Sequence, residues 1–220
     1  MLYGNGQWGT IAALPGFTVG DAGKLVRVNG AGTAIEYAGV PSWEQIAVLT
    51  ASNSAQLDFT SGLDDTYDAY ELRLEDLLPS TDDQYLFLRA SPNAGTSWYS
   101  TGGQYEWALR FSAPSGEVSN SSTADSISDR LVLTRPTASS RVSNAAGRGV
   151  TGVLEFTNPE VSKPLRVSYR ANYGASSTGT VAGQRGDGQV LVAAGVNGLR
   201  LAFSSGNIAS GKARLLGLRK

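Results

Sequence analysis

Residues 69–77 read Ala-Tyr-Glu-Leu-Arg-Leu-Glu-Asp-Leu, an alternation of apolar and charged side chains that decides the fold class. Successive side chains of a β-strand point to opposite faces, so Tyr70, Leu72 and Leu74 share one face and the charged residues share the other. Residues 199–203, Leu-Arg-Leu-Ala-Phe, repeat the pattern near the C-terminal end. Both segments therefore predict strands with one face directed into a core.

Nine further short runs of this kind follow residue 40, separated by clusters of Gly, Ser, Asn and Pro. No amphipathic helical pattern interrupts them, which favours antiparallel strands joined by turns. We therefore predict an all-β fold, an antiparallel β-sandwich of jelly-roll type with about eight strands. The nine runs span residues 46–50, 56–60, 84–90, 105–111, 131–134, 152–157, 165–173, 189–196 and 213–218.

Two segments between the runs predict loops. The Ser-rich residues 112–129 contain few apolar side chains and predict the longest exposed loop of the domain. Residues 185–187 spell Arg-Gly-Asp, a tripeptide that other proteins display as an integrin ligand, but Gly183, Gly186 and Gly188 around it are typical of an ordinary turn. We therefore predict a turn at residues 186–188.

The composition excludes several function classes. The 220 residues carry a formal net charge of −1 and include neither Cys nor His. Without a basic excess we expect no nucleic-acid partner, and without a long apolar run we expect no membrane insertion or secretion signal. Because His and Cys supply the commonest metal ligands and His the commonest general base, we also expect no metal, no cofactor and no enzymatic activity.

Residues 1–40 differ from the rest in being rich in glycine and without a helical repeat. Alternation on both sides of Asn29-Gly30 predicts a short β-hairpin. Because a lone hairpin is only marginally stable, we predict an extended N-terminal arm that leans on copies of itself or on a partner, ahead of a domain at residues 41–220. A disordered leader is the alternative. The predicted anchor and trimer contacts are the large apolar residues of the arm, Trp8, Phe17, Leu25, Val26, Val28, Ile35 and Tyr37.

Aromatic residues after the turn at 93–95 are the clearest binding signal of the domain. Trp98 and Tyr99 lie near a loop, where exposed rings stack on sugars or anchor protein interfaces. Tyr105 and Trp107 share the parity of the apolar residues in the run 105–111, so either a core or a binding surface fits them. Trp98 and Tyr99 are therefore the candidates for a surface or glycan contact.

Acidic residues of the segment 58–76 suggest a cation site or a catalytic pair, but less specifically than the aromatic residues suggest a binding surface. Asp64, Asp65 and Asp68 place carboxylates together on a turn, which either holds a hard cation or is simply solvated. The same three residues, with Asp58 and Asp76, are candidates for the carboxylate pair of a polysaccharide hydrolase, which needs a separation of about 5 to 9.5 Å. No motif singles out any two of them.

Charge is unevenly distributed along the chain. Nine acids and one base occupy residues 58–83, whereas five bases and no acids follow residue 187. The acid-rich and base-rich segments either face each other within one chain, meet across a subunit boundary of an oligomer, or form two solvated faces.

Two segments resemble parts of tailed-bacteriophage virion proteins. Residues 23–37, Gly-Lys-Leu-Val-Arg-Val-Asn-Gly-Ala-Gly-Thr-Ala-Ile-Glu-Tyr, are similar to a short element of phage fibre and head-decoration proteins, departing mainly in Val26, where Leu is common. Residues 57–71, together with 199–203, 206–211 and 215–218, are similar to the opening and closing segments of jelly-roll virion proteins. The resemblance leaves residues 131–189 without support.

The resemblance implies a non-enzymatic virion structural protein at the particle surface, assembled as a homotrimer and bound to other tail or capsid proteins through the arm. Its domain would be displayed outward, in a position from which it could contact a glycan on the host surface. Within this class, a tail fibre or spike is favoured slightly over a capsid decoration protein. The competing hypotheses are a free carbohydrate-binding module and, less favoured, a depolymerising enzyme.

Overall fold

The computed structural model describes residues 25–28, 35–38, 42–114, 116, 118–122, 128–157, 164–176, 179–192 and 195–219. Within these residues the chain forms fourteen β-strands and no helix, so the predicted all-β class is confirmed. The chain divides into two compact units, Met1–Ser42 and Trp43–Lys220.

The first unit contains a two-stranded sheet. Strands β1 (Leu25–Val28) and β2 (Ile35–Ala38) pair antiparallel, with Val26 opposite Tyr37. These are the two strands that the sequence predicts on either side of Asn29-Gly30. Val26 is 47% exposed. The predicted anchor residues Trp8 and Phe17 lie outside the described residues.

The second unit contains two antiparallel sheets. Its strands are β3 (Trp43–Thr50), β4 (Leu57–Phe59), β5 (Tyr67–Pro79), β6 (Leu86–Ser91), β7 (Tyr105–Ser112), β8 (Val118–Ser122), β9 (Leu131–Val132), β10 (Val150–Thr157), β11 (Leu165–Gly174), β12 (Val181–Val190), β13 (Gly198–Phe203) and β14 (Ile208–Arg219). The eight-stranded sheet has the order β3-β14-β5-β10-β11-β12-β7-β8, and the four-stranded sheet has the order β4-β13-β6-β9.

Four of the strand pairs are nested along the chain. The first strand of the unit pairs with the last, and each inner pair lies between the strands of the pair outside it. These ladders are β3 with β14, β4 with β13, β5 with β10 and β6 with β9. The insertions β7-β8, between β6 and β9 in the chain, and β11-β12, between β10 and β13, take no part in these four ladders and extend one edge of the eight-stranded sheet.

Both sheets contribute to one continuous hydrophobic core. In β5 the predicted alternation is confirmed, because Tyr70, Leu72 and Leu74 are all buried. Tyr105 and Trp107 of β7 are buried as well, so their rings belong to the core and not to a binding surface. Burial of such side chains contributes about 1.5–3 kcal/mol each, which makes this core the main source of stability.

Buried tyrosine hydroxyls connect the two sheets. Tyr169 of β11 donates a hydrogen bond of 2.7 Å to the carbonyl oxygen of Val132 in β9. Tyr105 of β7 accepts a bond of 2.9 Å from the backbone N–H of Ala90 in β6. Burial raises the pKa of both hydroxyls, so they remain protonated and able to donate.

The prediction of a turn at residues 186–188 is wrong, because these residues lie inside strand β12. Gly186 lies opposite Tyr169, and a Cβ added there would come within 2.3 Å of the Tyr169 ring and hydroxyl. A Cβ added at Gly188 would come within 2.5 Å of Leu131. Both glycines therefore make room for side chains of the core instead of forming a turn.

Two neighbouring predictions also need correction. The strand predicted at 189–196 ends at Val190, because the strand lies earlier, at Val181–Val190. The loop predicted at 112–129 contains strand β8, which pairs with β7 at the edge of the sheet. β8 is polar, Val-Ser-Asn-Ser-Ser, and no apolar alternation marks it in the sequence.

Candidate functional site

The two predicted surface aromatics lie side by side near the four-stranded sheet. Trp98 is half-buried, and the guanidinium carbon of Arg200 lies 4.2 Å from the centroid of its ring. Tyr99 packs partly against the core, and its backbone carbonyl accepts a 2.9 Å hydrogen bond from the Tyr105 hydroxyl. One face of Trp98 is thus occupied by Arg200, and the role of this pair in glycan contact stays a prediction.

The acidic turn before β5 is organised by local hydrogen bonds. Asp64 accepts a 2.9 Å bond from the backbone N–H of Thr66, and its backbone carbonyl accepts a 2.7 Å bond from the Tyr70 hydroxyl. Among the residues that the structure describes, Asp64, Asp65 and Asp68 do not form part of any group of three or more side chains placed to hold a metal ion.

The acid-rich and base-rich segments meet within one chain. Arg200 of β13 makes two hydrogen bonds, of 2.8 and 2.7 Å, to the carboxylate of Asp58 in β4. Arg214 of β14 pairs with Glu75 of β5, and hydrogen bonding to Arg214 holds the pKa of Glu75 below its usual value. The sequence left three arrangements of the acid-rich and base-rich segments possible, and the structure contains the first, in which they pair within one chain.

The outer face of the eight-stranded sheet carries a row of arginines, one on each of five strands. The strand registers place them directly opposite one another, with only Val153 of β10 interrupting the line. We call this set the arginine row; from β14 to β7 it consists of Arg214, Arg73, Arg170, Arg185 and Arg110. At about 4.8 Å per strand, the row spans about 24 Å.

The two halves of the arginine row differ in their partners. Arg214 pairs with Glu75, and Arg73 pairs with Glu71 at 2.7 Å. In the other half, Arg170 approaches Glu155 only to 3.7 Å. Arg185 and Arg110 form no ion pair with any carboxylate in the described ranges. Among the described residues, the guanidinium groups of Arg185 and Arg110 on β12 and β7 therefore lack a close carboxylate partner.

A second row runs beside the first, displaced by two residues on each strand, towards lower numbers on β5 and β11 and higher numbers on β10 and β12. It contains the carboxylates of Glu71, Glu155 and Asp187, with Ser168 between the last two. The Ser168 hydroxyl donates a 2.7 Å hydrogen bond to Asp187. We call this set the acid row. Its separation from the arginine row is about 7 Å, the rise of two strand residues.

Two adjoining depressions lie over these rows. The first, of about 630 Å³, is lined by three arginines of the row and by only two carboxylates, Glu155 and Asp187. The second, of about 820 Å³, is lined by four carboxylates and a single arginine, Arg166. Trp43 also lines the second depression and is 40% exposed. The outer face therefore offers a positive and a negative depression side by side.

None of the five carboxylates considered for a catalytic pair lines either depression. The residues that do line them were not predicted as a site, because no strand contributes more than two arginines and one acid. In the sequence these residues look like ordinary solvated positions of separate strands. The only signal in the sequence was that β7, β11 and β12 each carry an Arg at a position that alternation places on the outer face. The strand registers were needed to show that these arginines are neighbours.

Comparisons of the chain with protein-family models, with curated proteins and with solved structures found no match. Among the described residues, no helix is long and apolar enough to span a membrane. Chemically, the outer face presents guanidinium donors, carboxylate acceptors, hydroxyls and one exposed indole. This set suits binding of a polar ligand with both anionic groups and hydroxyls.

Proposed function

We propose that this protein is a non-enzymatic structural protein of a bacteriophage virion, a homotrimeric tail fibre or surface spike. In this proposal the first unit anchors the protein to other virion proteins, and the second unit is a displayed jelly-roll domain. The observation that carries the proposal is the nested strand pairing of the second unit, together with the phage-like sequence of residues 23–37. A capsid decoration protein is the same proposal at another site on the particle.

The nested pairs support the jelly-roll topology. If the strands β3, β4, β5, β6, β9, β10, β13 and β14 are numbered one to eight, the ladders join first to eighth, second to seventh, third to sixth and fourth to fifth. Rolling a long hairpin of four such pairs into two sheets gives the orders 1-8-3-6 and 2-7-4-5, as in jelly rolls. The observed sheets contain these orders.

Exposed apolar residues support assembly. Val26 is 47% exposed on a two-stranded sheet, which is marginal in water without further packing. In the second unit, Val48 is exposed on β3, an edge strand of the eight-stranded sheet. Unpaired edges and exposed apolar residues favour contact with another chain, and a trimer would cover them.

The solution mass of the full chain tests this assembly, by light scattering after size exclusion. We expect three times the chain mass of 23.0 kDa. Val26→Asp should lower the mass, because a charge at a buried subunit contact is strongly unfavourable. Val181→Asp is the matched control, since Val181 is 57% exposed in the second unit and should leave the trimer intact. A monomeric full chain would overturn the homotrimer.

A further inference from the structure

The positive half of the arginine row is a feature that folding alone does not explain. Arg170, Arg185 and Arg110 are direct cross-strand neighbours, and like charges opposite each other destabilise a sheet. Several other arginines of the two sheets have close carboxylate partners, as Arg200 and Arg214 do. Three exposed guanidinium groups are thus held together at a cost in stability, within a chain whose net charge is −1.

We propose that the first depression binds an acidic polysaccharide, with its anionic groups on Arg170, Arg185 and Arg110. A guanidinium fork binds a carboxylate or a sulfate through two parallel hydrogen bonds. Arg170 and Arg110 lie two strand spacings apart, about 10 Å, so one short stretch of polymer reaches all three. The volume of about 630 Å³ is within the range of small-ligand sites.

The neighbouring acid row decides which polyanion fits. The backbone positions of Glu155 and Asp187 lie about 7 Å along the strands from those of the arginines, and their carboxylates repel a polymer with closely spaced charges. Nucleic acid has one charge per roughly 1.7 Å of duplex and therefore meets this repulsion. A polysaccharide with one anionic group per sugar or fewer places neutral hydroxyls over the acid row, where carboxylates accept hydrogen bonds from them.

The second depression adjoins the first along the acid row and extends the proposed site. Trp43 at its edge has an exposed indole suited to stacking on a sugar ring. Gln189 donates a 2.6 Å hydrogen bond to Glu106, which orients that carboxylate in the depression. The outer face thus combines anion recognition over the arginine row with hydroxyl recognition over the carboxylates.

This inference deepens the proposed display role and rests on it for the biological source of the glycan. Binding itself is measured per chain and does not depend on the oligomeric state, so a failure of binding and a failure of the trimer are distinguishable. The probes are polygalacturonate oligomers, κ-carrageenan oligosaccharides, which carry a sulfate on every second sugar, and two controls, methyl-esterified polygalacturonate and a short DNA duplex. Affinity of the full chain for each is measured by calorimetry at low salt.

We expect binding to polygalacturonate or κ-carrageenan oligosaccharides, with the preferred polymer identifying the anionic group as carboxylate or sulfate, and little binding to the methyl ester or the duplex. Arg185→Gln removes the central charge and should weaken binding about tenfold or more. Lys212→Gln, the same charge change at an exposed position of β14 away from the depression, should weaken it less than about twofold. Arg185→Lys should restore part of the affinity.

The thermal or urea unfolding midpoint of Arg185→Gln separates a binding role of Arg185 from a structural one. A structural role would lower the midpoint. Because Arg185 lies between two like charges, Arg185→Gln should leave the unfolding midpoint unchanged or raise it. No binding to either acidic polysaccharide, equal binding by the wild type and Arg185→Gln, or tighter binding to the DNA duplex would each overturn the proposal.

Discussion

Replacing Gly186 by alanine is expected to destabilise the protein by about 2–3 kcal/mol. The added Cβ would lie 2.3 Å from the Tyr169 ring and 2.7 Å from the carbonyl oxygen of Ala108 on the neighbouring strand. Tyr169 cannot swing away, because its hydroxyl is bonded to Val132 and its ring is buried in the core. The conflict must therefore be relieved by shifting backbone in the middle of the sheet.

Gly183→Ala is the matched control in the same strand. Its Cβ would meet only the ends of two polar side chains, Asn172 and Ser112, each at 3.3 Å. Removing a glycine from a strand lowers the entropy of the unfolded chain, so this variant should be neutral or stabilised by about 0.5 kcal/mol. Urea unfolding followed by tryptophan fluorescence compares the two. If Gly186→Ala were as stable as Gly183→Ala, residues 185–187 would not form a central strand.

Tyr105→Phe is expected to lower the free energy of unfolding by about 2 kcal/mol. The hydroxyl accepts a hydrogen bond from the Ala90 backbone N–H and donates one to the Tyr99 carbonyl, both at 2.9 Å. Its loss leaves the buried N–H of Ala90 without this partner, and an unsatisfied buried donor is costly. The variant should also loosen the loop that carries Trp98 and Tyr99.

Tyr85→Phe is the control for this substitution, because Tyr85 is only half-buried and its ring lies beside Phe87. We expect a change of less than about 0.5 kcal/mol for this more exposed position. Equal effects of the two substitutions in urea unfolding would mean that the Tyr105 hydroxyl does not bridge the sheets.

Much of the fold could be predicted from alternation alone. β5, β7, β11, β13 and β14 all lie within or around runs that the sequence marks as strands. The glycine-containing strand β12 was missed because its glycines replace apolar residues and make room for Tyr169 of β11 and Leu131 of β9, contacts that only the folded chain shows. β8 was missed because a polar edge strand needs only backbone pairing with β7.

The candidate site could not be predicted in the same way. A single exposed Arg on a strand is an ordinary solvated residue, and only the registers of β11, β12 and β7 bring Arg170, Arg185 and Arg110 together. The same holds for Asp58 and Arg200, which are 142 residues apart and meet through the pairing of β4 with β13. Uneven charge along the sequence indicated that such contacts were available, but left open whether they lie within one chain.

An engineered disulfide between residues 58 and 200 tests the central claim, that nested strand pairing brings the acid-rich and base-rich segments together within one chain. Asp58 and Arg200 are directly opposite in an antiparallel ladder, where Cα atoms are about 4.5–5.5 Å apart, a distance that suits a disulfide. The chain has no cysteine of its own, so no other thiol competes. Asp58→Cys with Lys212→Cys is the control pair, because β14 belongs to the other sheet.

We predict that mild oxidation of the Asp58→Cys, Arg200→Cys variant gives an intramolecular disulfide in nearly every chain, seen as a faster band of monomer mass on a denaturing non-reducing gel. The control pair should keep its thiols free within the chain. A disulfide that joins two chains, or thiols that stay free in the 58–200 pair, would contradict the account.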